Sequence, residues 1–242
     1  MVRASTVDAR VEWELVSIVN REVTKLRHRT VLVVYRCKTE SWQGFIQQIM
    51  HYVSRGYSYF CMVELPKRKQ SKWEAIDQKL IEKYGINIAK WNRRYRKKQG
   101  RMNFAYVRWE DQAVLLHTKG KIDDEITMDD TFLDSHKDAL TIRVGDQMVL
   151  ELAYIDDHAT YKIHPTIYRD LKAEIADAAE RRDVKHVVET IEHLNGLPAW
   201  KGIFEQKLAL YRFAKTSLAK HQQKLPAVFI RRKRTPIKVW QH

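Results

Sequence analysis

The apolar positions in the first part of the chain change from a helical spacing to a continuous run. From Val7 to Leu26 the apolar residues recur three and four positions apart, which predicts a helix. The run TVLVVYRC, Thr30 to Cys37, is unbroken and rich in β-branched residues, as is typical of a strand covered on both faces. We therefore expect an N-terminal helix within residues 1–29 and a central strand after it.

The next change of spacing predicts a β-α-β unit. Apolar residues from Trp42 to Val53 fall on one helical face, with Ser41 at the start and Gly56 just past the end, where helix caps are usual. The segment from Tyr57 to Leu65 then predicts a second strand. A right-handed crossover, which is the nearly universal form, makes the two strands parallel.

Residues 66–101 interrupt this pattern with helices and positive charge. Ser71 and Glu74 form a capping-box pattern, which predicts that a helix begins there and is stopped by Gly85. A second helix is predicted in the remainder of the segment, with its basic residues in a stripe. Residues 102–118 then predict two strands joined by a tight turn at Glu110-Asp111, which completes a β-α-β-α-β-β order.

The remainder of the chain contains an acidic segment, a group of short strands and a helical region. Seven of the residues between 121 and 138 are Asp or Glu, so we expect a loop there. Residues 140–163 predict a three-stranded meander, which we expect to extend the first sheet or to cover one of its edges. From Pro165 to His221 the spacing is helical, with a break at Gly196 and Pro198.

These elements predict an α+β protein with a ferredoxin-like mixed β-sheet core followed by a C-terminal helical region. We expect a sheet domain over residues 30–164, with a basic insertion at 66–101 and an acidic loop at 121–138, and a helical region with a basic tail over 165–242. The order of elements over residues 30–118 resembles the ferredoxin-like sheets of RNA-recognition modules, rolling-circle replication initiators, relaxases and primases. This resemblance is architectural, and it implies a fold without implying a function.

The composition favours a polyanionic partner. The 242 residues carry a formal net charge of +14, and the pI is near 9.7, values that favour DNA, RNA or an anionic membrane surface. No run approaches the ~18 apolar residues of a membrane-spanning helix, so we expect no membrane partner and a cytoplasmic protein. Two cysteines are too few for a disulfide framework or a thiolate zinc site.

Basic residues with aromatic residues among them give the strongest chemical signal. Lysine and arginine neutralise phosphates, and aromatic rings stack on unpaired bases. We therefore predict a basic, aromatic-interleaved surface that grips the phosphate backbone of DNA or RNA. Its members are Lys67, Arg68, Lys69, Lys90, Trp91, Arg93, Arg94, Tyr95, Arg96, Lys97, Lys98 and Arg101, with Arg231, Arg232, Lys233 and Arg234 in the tail.

The acidic loop has three interpretations. Asp123, Asp124, Asp129 and Asp130 could converge on a magnesium ion for phosphoryl transfer, but no Asp-x-Asp pair on a strand and no calcium-loop glycine accompanies them. The loop could instead lie over the basic surface and compete with nucleic acid. The interpretation that we favour is a solvated loop without a metal.

Two residues are candidates for catalysis. His117 ends a predicted strand beside the acidic loop, where a general base for phosphodiester cleavage could lie. Tyr106, on the neighbouring strand, could be a nucleophile or a stacking ring. Replication initiators and relaxases use a His-hydrophobic-His pair, and the segment LLHTKG supplies one such histidine. The sequence has no phosphate-binding loop, dinucleotide fingerprint, serine elbow or zinc-ligand spacing.

Three functions are compatible with these patterns. Our first prediction is a nucleic-acid-binding protein without catalysis and without a cofactor. The alternative is a phosphodiester-processing enzyme of a mobile element or defence system, with magnesium as its cofactor. The third is an adaptor whose C-terminal helices, Thr166 to His221, bind another protein of a nucleoprotein assembly.

Overall fold

The computed structural model describes residues 35–232 and 237–240, which belong to one compact unit, Tyr35–His242. The predicted N-terminal helix, residues 30–34 of the first predicted strand, Lys233 and Arg234 lie outside the described residues. Six α-helices and two antiparallel sheets make up the described part of the chain. The protein therefore has a mixed α+β fold, as the sequence predicts.

Helix α1, Trp42–Val53, forms where the apolar spacing predicts it. Ser41 caps its start, because the Ser41 Oγ accepts a hydrogen bond from the backbone N–H of Gly44 at 3.1 Å. Gly56 follows the end of the helix with φ of 90°, a left-handed conformation that residues with a side chain rarely adopt. The apolar face of α1 is buried against the first sheet.

The first sheet has four strands: β1 (Tyr59–Glu64), β2 (Phe104–Trp109), β3 (Gln112–His117) and β4 (Leu133–Asp134). They lie in the order β2-β3-β1-β4, and every neighbouring pair is antiparallel. The tight turn between β2 and β3 contains Glu110, which has φ of 50°. All six residues of β3 are buried, so β3 is an interior strand with apolar neighbours on both faces.

The described end of the first predicted strand lies at the edge of this sheet. Lys38 forms an isolated parallel bridge with Arg108 on the outer side of β2. The segment runs parallel to β1, as predicted, but β2 and β3 lie between the two. The interior strands of the sheet are β3 and β1, and β3 is the one whose residues are all buried. These pairings do not confirm a ferredoxin-like arrangement.

Three helical segments connect β1 to β2: a 3-10 helix (Lys67–Lys72), α2 (Trp73–Lys83) and α3 (Lys90–Lys98). The predicted capping box does not form, because Ser71 lies within the 3-10 helix and no side chain caps the start of α2. The entry to α2 is held instead by Trp73, whose indole N–H donates to the carbonyl oxygen of Pro66 at 3.2 Å.

The predicted meander is confirmed as strands β5 (Thr141–Val144), β6 (Met148–Ile155) and β7 (His158–Ile163). It forms a separate sheet, so the first of the two expected arrangements, an extension of the first sheet, is wrong. The side-chain amide of Gln112 connects the two sheets: it accepts a hydrogen bond from Arg143 N and donates one to Arg143 O, both at 2.9 Å. A side chain thus makes the two bonds that a neighbouring strand would make.

The C-terminal region is helical, as predicted, with α4 (Pro165–Glu180), α5 (Val184–His193) and α6 (Lys201–Lys220). A 3-10 helix, Leu194–Gly196, lies between α5 and α6. Helix α6 packs tightly on the second sheet, where a Cβ on Gly202 would lie 2.6 Å from the carbonyl oxygen of Tyr161. Within the described residues, no helix is both long enough and apolar enough to span a membrane.

Alternating side chains of the first sheet divide the apolar interior into two clusters. One face, with Val114 and Leu116 of β3, packs against α1, the second sheet and the C-terminal helices. The other face, with Ala113 and Leu115, packs against α2 and the segment that follows it. Because β3 supplies both clusters, the first sheet is the scaffold from which α1 and α3 are positioned.

Candidate nucleic-acid interface

Four side chains project from one side of α3 into solvent. Trp91 is 71% exposed and Tyr95 is 58% exposed, and Arg94 and Lys98 are also exposed. Their spacing of three, four and seven residues places them on one stripe of the helix, which we call the outer face of α3. Exposed aromatic rings between cations are what a surface for unpaired bases and phosphates requires.

Two arginines of α3 face the protein and hold the helix in place. The Arg93 guanidinium donates to the carbonyl oxygens of Ile86 at 2.9 Å and Ile88 at 3.3 Å. The Arg96 guanidinium donates to the carbonyl oxygen of Met102 at 2.8 Å. A nine-residue helix is marginal in water by itself, so these bonds and the sheet they attach to account for its persistence.

Within the part of the chain that the structure describes, no acidic side chain pairs with the outer face. Among residues 35–232 and 237–240, Arg94 and Lys98 make no ion pair or hydrogen bond. Lys90 also lacks a partner in this part of the chain, while Lys97 donates to the carbonyl oxygen of Arg55 at 3.1 Å. Among the described residues, Lys90, Arg94 and Lys98 therefore keep their charge unpaired and can bind an anion.

The acidic loop contacts the basic segment away from the outer face. Asp123 lies 2.6 Å from Arg96 Nη1 and 3.6 Å from Arg101 Nε. Asp129 and Asp130 both pair with Lys83 at the end of α2, at 3.3 and 3.1 Å. Of the two arginines that hold α3 in place, the loop pairs with Arg96, and in the described residues none of its ion pairs reaches the outer face.

The four aspartates considered as metal ligands are divided between these contacts. Asp123 faces α3, whereas Asp129 and Asp130 face α2, and Asp130 also accepts a hydrogen bond from the Tyr84 hydroxyl. Asp124 is exposed. In the described part of the chain, no three His, Cys, Asp or Glu side chains converge on a point where a metal ion could bind.

The basic residues of the 3-10 helix are not next to α3. They follow β1 where Glu64 pairs with Gln112, and Lys67 lies 3.7 Å from Asp111 in the adjoining turn. Helix α3 is tied to the other end of the strands, where Tyr59 pairs with His117. Five residue steps of about 3.3 Å separate the two strand ends by roughly 17 Å.

Ties through Asn103 fix α3 at its end of the sheet. The Asn103 side-chain amide donates to the carbonyl oxygen of Arg93 at 3.0 Å, and its backbone N–H donates to Thr118 Oγ1 at 3.0 Å. The exposed Arg68 and Lys69 therefore form a separate basic surface at the far end of the strands.

The described tail residues belong to the C-terminal helices. The backbone N–H of Arg231 donates to Asn195 Oδ1 at 2.9 Å, and the Arg232 guanidinium lies 5.9 Å from the centre of the Phe204 ring. Both side chains are exposed. Within the described residues, no ion pair or hydrogen bond connects either arginine to α3. The described members of the predicted surface therefore lie on three separate elements: the 3-10 helix after β1, α3, and the tail segment beside α6.

A cleft of about 580 Å³ lies between the end of α1 and the start of α3. His51 in the last turn of α1 and Arg55 in the turn that follows it line this cleft, and neither was among the residues predicted from the sequence. Their spacing of four residues at the end of a predicted helix was the available signal. Burial, and then the positive charges of Arg55 and Lys90, lower the pKa of His51. The cleft therefore has a positive field that favours anions.

The two candidate catalytic residues are buried. His117 is 3% exposed, its Nδ1 donates to the carbonyl oxygen of Thr118 at 2.9 Å, and its ring is stacked on Tyr59. Burial lowers the pKa of His117. Tyr106 is 0% exposed and donates to Asp77 at 2.7 Å, and burial raises the pKa of its phenol. Neither side chain lies at a surface that a phosphodiester reaches.

Comparison with known proteins gives no indication of the function. No protein-family model, curated protein or solved structure matches the chain. The exposed rings and cations of α3 and the cleft beside it are therefore the features from which a function can be inferred.

Proposed function

We propose that the protein binds DNA or RNA along the outer face of α3. The observation that carries this proposal is the exposed stripe of Trp91, Arg94, Tyr95 and Lys98, with cations that have no partner in the described residues. The cations would contact phosphates, and the two rings would stack on bases. The formal net charge of +14 would attract the polyanion from a distance.

Exposed stacking rings favour single-stranded or unpaired nucleic acid over a continuous duplex. Bases within a duplex are stacked on each other, and their faces are closed to a side chain. Trp91 and Tyr95 lie one helical turn apart, so they can contact neighbouring bases of a splayed strand. Under this proposal the protein acts in the cytoplasm, and the surface at Arg68 and Lys69 and the tail bind further along the same strand.

The test is binding of fluorescently labelled single-stranded DNA, single-stranded RNA and duplex of equal length, measured by anisotropy over a range of salt concentrations. Replacement of Arg94 and Lys98 by Gln removes two phosphate contacts, which lowers the slope of log affinity against log salt by about 1.4 for a single strand. Replacement of Trp91 and Tyr95 by Ala weakens binding roughly 5- to 150-fold per stacked base and leaves the slope unchanged.

A matched control is available on α6, where Lys215 and Lys220 are exposed. Replacing both by Gln changes the net charge by the same amount as the Arg94 and Lys98 replacement, so a general effect of net charge lowers the slope equally in both variants. We expect the α6 variant to retain wild-type binding. Equal loss in the two variants, or no binding of any nucleic acid by the wild-type protein, rejects the proposal.

A further inference from the structure

The cleft between α1 and α3 differs from an ordinary surface depression in its size and in the positive charge of its lining. Its walls come from the end of α1, the start of α3 and the ends of β2 and β3. None of the described lining residues is acidic. The lining residues are His51, Tyr52, Arg55, Tyr57, Ile88, Lys90, Arg93, Arg94, Lys97, Asn103 and Thr118.

Several cations of the cleft keep hydrogen-bond donors available. Lys90 and Arg94 make no ion pair or hydrogen bond within residues 35–232 and 237–240. Lys97 uses one N–H on the carbonyl oxygen of Arg55, and Arg55 uses Nη1 on His51. An oxyanion in the cleft would therefore accept charge-assisted hydrogen bonds without breaking the ion pairs that hold the fold together.

Asn103 supplies an independent indication of a ligand. The residue is 2% exposed, and its Nδ2 donates to the carbonyl oxygen of Arg93 at 3.0 Å. Its Oδ1 has no hydrogen-bond partner in the described part of the chain. Buried polar atoms are almost always paired, so an unpaired acceptor on a residue that lines the cleft is available to a donor that a ligand brings. A ligand with a hydroxyl or amino group supplies one.

The cleft also has an apolar wall and a volume suited to more than a phosphate ion. Tyr52 and Tyr57 lie with their ring centres 5.1 Å apart, and Ile88 also lines the cleft. A volume of about 580 Å³ is in the range of sites for organic ligands. A lining that combines cations, apolar side chains and a buried acceptor matches a phosphate joined to a ring that carries donors.

We propose that this cleft binds one nucleoside monophosphate unit, either as a free nucleotide or as the phosphorylated end of a strand. The phosphate would contact Arg55, Lys90, Arg94 and Lys97, and a donor of the sugar or base would satisfy Asn103. The site goes beyond binding along the outer face of α3, since it recognises a single nucleotide. The two surfaces share only Arg94.

The test is calorimetric titration of the full-length protein with adenosine, guanosine, cytidine and uridine 5′-monophosphates, with inorganic phosphate, and with the four nucleosides. We expect at least one nucleoside monophosphate to bind, inorganic phosphate to bind at least tenfold more weakly, and nucleosides not to bind. Replacement of Arg55 and Lys90 by Ala should weaken the nucleotide about tenfold or more, because it removes two charge-assisted contacts.

Lys98→Ala is the matched control, because Lys98 lies on the outer face of α3 and outside the cleft; it should bind the nucleotide like the wild type. Absence of nucleotide binding, equal binding of inorganic phosphate, or full retention in the Arg55 and Lys90 variant overturns the inference. Competition by 5′-phosphorylated and 5′-hydroxyl oligonucleotides identifies the source. Stronger competition by the phosphorylated strand supports a strand end, and equal competition supports a free nucleotide.

The two proposals fail separately. If nucleotides do not bind but oligonucleotide binding still depends on Trp91 and Tyr95, only the cleft inference is wrong. If nucleotides bind through Arg55 and Lys90 but oligonucleotides do not depend on the outer face, only the proposal of strand binding along α3 is wrong.

Discussion

Replacement of two neighbouring arginines on α3 by Ala is expected to affect two different properties of the protein. Arg93 is half-buried, and its guanidinium bonds two backbone carbonyls of the segment that leads into the helix, at 2.9 and 3.3 Å. Arg94 is exposed and makes no hydrogen bond or ion pair in the described residues. Arg93→Ala should therefore lower stability, whereas Arg94→Ala should lower nucleic-acid affinity.

The magnitude for Arg93→Ala follows from these two bonds. A hydrogen bond from a charged donor contributes about 1.5–3 kcal/mol, and the 3.3 Å bond is the weaker one. Because the side chain is partly solvated, we expect a total loss of about 2–3 kcal/mol in the free energy of unfolding. For a chain of this size that corresponds to a fall in Tm of roughly 4–12 °C.

Arg94→Ala should change the free energy of unfolding by less than about 0.5 kcal/mol, as is usual for exposed positions. It should lower the slope of log affinity against log salt by about 0.7 for a single strand, since one phosphate contact is lost. Urea unfolding followed by tryptophan fluorescence measures the first quantity, and anisotropy measures the second. Equal destabilisation by the two variants, or a neutral Arg93→Ala, would show that this orientation of α3 is incorrect.

Two further predictions concern buried ionisable groups. Asp77→Ala should lower the free energy of unfolding by about 3–5 kcal/mol, measured by urea unfolding. The reason is that Arg108, which is 2% exposed, loses the carboxylate that lies 2.8 Å from its guanidinium. A loss under about 1 kcal/mol would contradict a buried ion pair. The folded-state pKa of His117 lies below its ordinary value of 6.5. Below about pH 6.5 the unfolded chain therefore binds more protons than the folded chain, and stability decreases as the pH is lowered. His117→Phe should reduce this slope by up to about 1.4 kcal/mol per pH unit, measured by urea unfolding between pH 7.5 and 5, and an unchanged slope would count against burial of the ring.

Local elements were predictable because they depend on short-range spacing. The helix from Trp42 to Val53, its Ser41 cap, the meander and the C-terminal helices all form as predicted. The capping box at Ser71 and Glu74 fails because the preceding residues turn into a 3-10 helix, which tertiary contacts of Trp73 stabilise. A helix cap contributes only about 1 kcal/mol to stability, so tertiary contacts can outweigh it.

The roles of individual basic residues were not predictable from the sequence. Arg93 and Arg94 are adjacent and chemically identical, yet one bonds the backbone and the other faces solvent. The difference depends on which side of α3 meets the sheet. Asn103, the residue before β2, holds that side by donating a hydrogen bond to the carbonyl oxygen of Arg93. The burial of His117 likewise depends on three aromatic neighbours, of which Phe132 comes from the acidic loop.

The sequence by itself determined the positive charge, the concentration of arginine, lysine and aromatic residues at 90–101, and the helix that carries them, because composition and periodicity are local properties. Only the tertiary structure decided which of these side chains face solvent, that the residues at 67–69 lie at the far end of the strands, and that Arg55, just after α1, lines a cleft beside α3. Strand register and helix docking bring distant residues together, and they depend on the packing of the whole core.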